Sequence, residues 1–183
     1  MVDQLSRADE SKRGSRQWHR DWFPYEQYQL VHSNTMNALI EEGIVLRETV
    51  ALAEISDNNG TLVQIRVTGR VLCAYQVVLI VNKRLAVQRD SSNRQVVRGI
   101  AYEYHAFIRT TNPRRALLRY DDSHDMLHRH FFDSNGKELE RSPRSIPLDS
   151  LPRMDLVIRE AVALAGGPAL PEEWMTRDDL PWS

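Results

Sequence analysis

Half of the chain's six histidines fall within seven residues of one another: His124, His128 and His130, inside the stretch RYDDSHDMLHRHFFD from Arg119 to Asp133. Imidazole is the side chain whose unperturbed pKa lies near neutral pH, so histidines at this spacing suit proton transfer. Neutral imidazole is also a good ligand for zinc and other divalent ions. Read as strand, loop and strand, the stretch puts His128 and His130 on one sheet face, because strand side chains alternate. Leu127, Arg129 and Phe131 then point the other way, and His124 sits in the loop before them. Pairing of the two strands would set Arg119 or Asp121 beside His128. His105 and Glu103, on the strand before, would complete the group.

Three chemistries fit this pattern. The first is a metal site, with zinc or another divalent ion held by His124, His128 and His130. The glutamate that follows a strand-borne H-x-H in cupins is absent, Asp133 and Ser134 standing in its place, and there is no H-E-x-x-H helix. The second needs no cofactor: acid–base cleavage of a phosphodiester. One histidine takes the proton of a ribose 2′-hydroxyl, another protonates the leaving 5′-oxygen, and an arginine holds the developing negative charge. The third is structural, a polar hairpin whose histidines bond one another and nearby carboxylates.

Charge bears on the second reading. The whole chain has a formal net charge of -1, which points to neither nucleic acid nor membrane. From Lys83 to Arg119, however, nine basic residues face only Asp90 and Glu103, a local net charge of +7. Alternation along strands would gather several of them, Arg98, Arg109, Arg114 and Arg115 among them, where they meet RNA phosphates. The competing reading is a solvated edge, charged to resist strand addition.

The elements that must position these residues follow from hydrophobic period. From Ile44 the pattern has period two, and it predicts strands over 44–55, from about 62, over 74–88, 95–109, 115–121 and 127–132. Asp57 to Gly60, Asp90 to Asn93 and Asp133 to Gly136 supply the turns. The most apolar run, VLCAYQVVLIV at 71–81, is too short to span a bilayer and continues into Asn82, Lys83 and Arg84, so it reads as a buried strand. The single cysteine, Cys73, lies in this run and reads as a buried, inert thiol. A short helix is expected at Asn34 to Glu42, capped by Ser33 or Asn34 and stopped by Gly43. A second runs from about Leu151 to Ala165, capped by Asp149 or Ser150. The expected fold class is α+β: an antiparallel meander sheet of five or six strands with a helix at each end. One helix covers one face, and the other face is left as a working surface.

Three regions result. Residues 1–33 read as a flexible arm followed by an aromatic-rich segment with Trp18, Trp22, Phe23, Tyr25 and Tyr28. That segment either lies over the domain's own sheet or docks on a protein partner. Residues 34–167 form the single domain. Residues 168–183 are an acidic, proline-broken tail with Trp174 and Trp182, a second candidate contact for a partner. The first residues are charged and lack the apolar core of a secretory signal, so a cytoplasmic location is expected. No internal repeat or low-complexity segment is evident.

The run LRYDDSHDMLHRH, followed by DSNG and a terminal amphipathic helix, resembles the TumE-like toxin components of bacterial toxin–antitoxin pairs. The likeness covers about Ala116 to Ala165, with a weaker echo in the strands upstream. It implies a cytosolic toxin that binds a cognate antitoxin and attacks RNA or translation, possible catalysts being Arg119, Tyr120, Asp121, His124, His128 and His130. This chain adds the N-terminal arm and the acidic tail to that pattern. Those additions leave open a related module of a mobile-element or defence assembly, a non-enzymatic protein-binding module, or a metal-binding protein.

Overall fold

The computed structural model describes residues 22–110, 114–122, 126–146 and 153–168. Among them the period-two pattern becomes one antiparallel sheet of nine strands. These are β1 (Phe23–Pro24), β2 (Val45–Glu48), β3 (Ala51–Ser56), β4 (Leu62–Cys73), β5 (Val77–Arg89), β6 (Gln95–Ile108), β7 (Arg115–Asp121), β8 (His128–Phe131) and β9 (Arg144–Ser145). The helices are α1 (Tyr25–Glu41) and α2 (Met154–Leu164), one near each end. β2 and β3 both pair with β4, and from β4 the sheet runs in sequence order to β9. β1 pairs with the start of β6 through Phe23 and Val97. The α+β meander is as expected. The count exceeds five or six because two-residue strands cap the pattern and the first strand is broken.

That break has a local cause. Between β2 and β3 the Thr49 amide donates to Arg70 O at 2.9 Å, pulling the edge strand against Gly69. A Cβ on Gly69 would strike the carbonyl oxygen of Thr49, so only glycine admits this approach. The apolar run at 71–81 also departs from the single strand expected of it. It is the end of β4, a tight turn and the start of β5, with Tyr75 and Gln76 at φ 56° and 61°. Hairpin turns of this kind favour Asn-Gly, and no such signal is present here. The turn is held from outside: Arg109 Nη2 donates to Gln76 Oε1 at 2.8 Å, and the Tyr75 ring lies where a Gly167 side chain would go.

The first helix begins at Tyr25, not Asn34, with Pro24 in the N-cap position. Tyr25, Tyr28, Met36 and Leu39 recur at helical spacing, and that face meets the core. The aromatic-rich segment thus enters the helix and packs on the sheet, one of its two expected placements, and Ser33 and Asn34 lie within the helix. Gly43 ends it as expected, at φ 71°. α2 begins at Met154 with Arg153 in the N-cap position. The expected caps Asp149 and Ser150, with Leu151 and Pro152, fall outside the described residues, as do 1–21 and the tail from 169.

Both helices cover the same sheet face. Val67, Val71, Leu79, Val81, Tyr104, Ala106 and Leu118 point toward them and are buried. Met36 and Leu39 of α1 and Val157, Ile158, Ala161 and Val162 of α2 join the same core. Arg159 ties the two helices through a 2.6 Å ion pair with Glu42. Among the described residues no helix lies on the other face, and none is long and apolar enough to cross a membrane.

Candidate functional site

Strand register decides what the helix-free face carries. β7 pairs with β8 so that Asp121 lies opposite His128 and Arg119 opposite His130. β6 pairs with β7 so that Glu103 meets Asp121 and His105 meets Arg119. Because side chains alternate, all six point away from the helices. They form two neighbouring rows across three strands: Glu103, Asp121 and His128, then His105, Arg119 and His130. Tyr104, Tyr120 and Arg129 fall between these rows and point into the core.

Asp121 is the hub of the cluster, with its side chain 6% exposed. Arg119 Nε lies 2.9 Å and His130 Nε2 3.0 Å from its Oδ2, while His128 Nδ1 stands 3.7 Å from its Oδ1. Arg119 also reaches Glu103 Oε1 at 3.5 Å. The other ring nitrogen of His130, Nδ1, lies 2.7 Å from Glu138 Oε1. Ser142 Oγ donates to that same oxygen at 2.6 Å and accepts from the Phe131 amide at 3.1 Å. The Ser142 hydroxyl and His130 together hold the Glu138 carboxyl below its ordinary value. The His128 and His130 rings are 6.4 Å apart and nearly perpendicular. His105 rests edge-on to Phe107, and burial first, then Arg119, push its imidazole below the ordinary histidine value.

Behind these rows lies a second charged group. Arg129, between the two histidines in sequence, reaches through the core to Glu160 of α2 and forms a close ion pair with its Oε1. The Tyr120 hydroxyl donates to Glu160 Oε2 at 2.7 Å. Burial raises the Glu160 carboxyl, and Arg129 and Tyr120 pull it back.

The structure therefore brings together His128, His130, Arg119 and Asp121 and adds His105, Glu103 and Glu138. Tyr120 is not with them: alternation turns it to the core face, where it serves Glu160. His124 lies outside the described residues. The four basic candidates each have a local partner. Arg98 stacks on Trp22 at 4.7 Å and Arg114 on Phe107 at 4.9 Å. Arg109 is engaged by Gln76, and Arg115 Nη1 donates to Ser134 O at 3.2 Å. Arg84 of the basic stretch, with Arg66 and Arg70 upstream of it, also shares the helix-free face. Arg66 pairs in register with Arg84, and Arg70 lies across Ile80 from His105. Their signal was the polar half of the alternation in β4 and β5.

Among the described residues no group of three His, Cys, Asp or Glu side chains is arranged to hold a metal ion. No known family, curated protein or solved structure matches the chain.

Proposed function

We propose that the chain is a metal-independent ribonuclease whose site is the helix-free sheet face. The observation that carries this reading is the row His105, Arg119, His130, a fixed cation between two imidazoles on adjacent strands. Strands about 4.8 Å apart span a phosphodiester across such a row. His105 lies in the setting that favours its neutral form, so it takes the proton of the ribose 2′-hydroxyl. The 2′-oxygen attacks phosphorus, and Arg119 binds the oxygens on which negative charge builds. His130, held through Nδ1 by Glu138, gives its Nε2 proton to the 5′-oxygen as the P–O5′ bond breaks. Arg66, Arg70 and Arg84 lie along the same face and serve as backbone contacts for the RNA.

The likeness of LRYDDSHDMLHRH to TumE-like toxins supports a biological role as the toxin-like component of a toxin–antitoxin, mobile-element or defence system. The outer side of α1 supports a protein partner, since Leu30 and Val31 stand 58% and 51% exposed there. The test is cleavage of single-stranded RNA by the purified full-length protein with a chelator present. His130→Ala is expected to lower the rate by about 10²–10⁴ with circular dichroism unchanged. Full activity in that variant, or activity abolished by chelation, would overturn the reading.

A further inference from the structure

The sheet face opposite the histidine rows carries a separate feature. A pocket of about 260 Å³ opens between α1, the start of α2 and strands β4 to β6. Val67, Val81, Tyr28, Tyr102, Tyr104 and Met154 make its largely apolar wall. Lys83 projects into this lining from β5, where alternation and its register opposite Val67 and Tyr102 turn it inward. Its ammonium lies 5.1 Å from the centroid of the Tyr28 ring. The carboxylate nearest to hand on the pocket wall, Asp155, is taken by Arg153 through contacts of 2.9 and 3.1 Å. Among the described residues no carboxylate stands within ion-pair distance of Lys83.

A cation set in an apolar wall without a counter-charge is costly, and here burial draws the lysine down to about 8. An incoming anion removes that cost. The aromatic lining asks for the opposite property in the rest of the ligand. We propose that this pocket binds a small apolar molecule bearing one carboxylate, its body against the tyrosines and its anion on Lys83. Size sets the scale: a cavity of about 150 Å³ accommodates benzene, so this one takes a single ring with a short acid-bearing chain.

The test uses the full-length protein and three probes of one shape: 3-phenylpropanoate, the neutral 3-phenylpropanol and the cationic 3-phenylpropylamine. Calorimetric titration is expected to give the carboxylate at least a tenfold tighter Kd than the alcohol, with the amine weakest. Lys83→Met, which keeps the volume, should bring carboxylate and alcohol to equal affinity. Met154→Trp, which fills the pocket, should weaken all three. Equal binding of the probes by the unaltered protein, no binding of any, or a carboxylate preference that survives Lys83→Met would overturn the proposal. As a check that needs no variant, the Lys83 side-chain NMR signals should shift on adding 3-phenylpropanoate and not on adding the alcohol. Unmoved signals count against it.

Discussion

On one face of β7 and β8, Arg129 meets Glu160 almost out of reach of water, at 2% and 4% exposure. On the other, Arg119 meets Asp121 with 39% of the arginine side chain exposed. The two pairs use the same chemistry on opposite faces of the sheet, and it is the burial of the arginine that separates them. In the core a guanidinium and a carboxylate must satisfy each other, and removing either leaves an uncompensated charge. On the open face the carboxylate is just as buried, Asp121 at 4%, but water reaches Arg119, and His128 and His130 share the carboxylate with it. The buried pair also sets register. His128 and His130 flank Arg129, so a one-residue slip of β8 would turn Arg129 outward and both histidines into the core. The buried pair thereby decides which face the histidines occupy.

The comparison breaks most readily at Glu160. Glu160→Ala should lower stability by about 3–5 kcal/mol in urea unfolding, by stranding Arg129. Replacing both partners, Arg129→Met with Glu160→Leu, should recover most of that loss. Arg119→Ala, on the open face, should cost less in the same measurement, because His128 and His130 still flank the Asp121 carboxylate. If the two single variants lose equal stability, the burial of the arginine is not what distinguishes the faces.

A smaller effect sharpens the open face through pH. The His105 imidazole is held below its ordinary value of 6.5 by burial first, then by Arg119. The unfolded chain therefore binds more protons than the folded one between the two values. This contribution to stability is complete above about 6.5 and is lost as pH falls through that range. The urea midpoint should drop on going from pH 7 to about 5.5, and His105→Gln should reduce the drop. An identical drop in the variant would remove His105 from the account. His32, also held low by burial, contributes equally to both proteins.

Local rules made much of this legible. Period-two alternation and the Asp-led turns read out β4 to β8 and the Asp57 and Asp133 hairpins, because each depends on residues close in sequence. Alternation also turned His128 and His130 to one face, and pairing of β7 with β8 put Arg119 and Asp121 there with them. What stayed hidden depends on distant contacts. The turn at Tyr75 and Gln76 carries no turn signature, since Arg109 holds it from another hairpin. The aromatic residues after Trp22 could lie on the domain's own sheet or dock on a partner, and only the presence of the sheet shows that it receives Tyr25 and Tyr28. Glu160 reads as an ordinary helix residue, and only the packing of α2 reveals it as the partner of Arg129. Glu138 reaches His130 through a loop whose path Ser142 stabilises, a contact that no spacing rule encodes.

We propose RNA cleavage through the 2′-hydroxyl, without a metal, by the row His105, Arg119, His130. The most direct measurement is the chemistry of the product ends after incubating single-stranded RNA with the full-length protein and a chelator, read by mass spectrometry. The account predicts 2′,3′-cyclic phosphate and 5′-hydroxyl ends, and no cut where the upstream nucleotide is 2′-deoxy. Ends bearing a 5′-phosphate, or uncut RNA under these conditions, would contradict it.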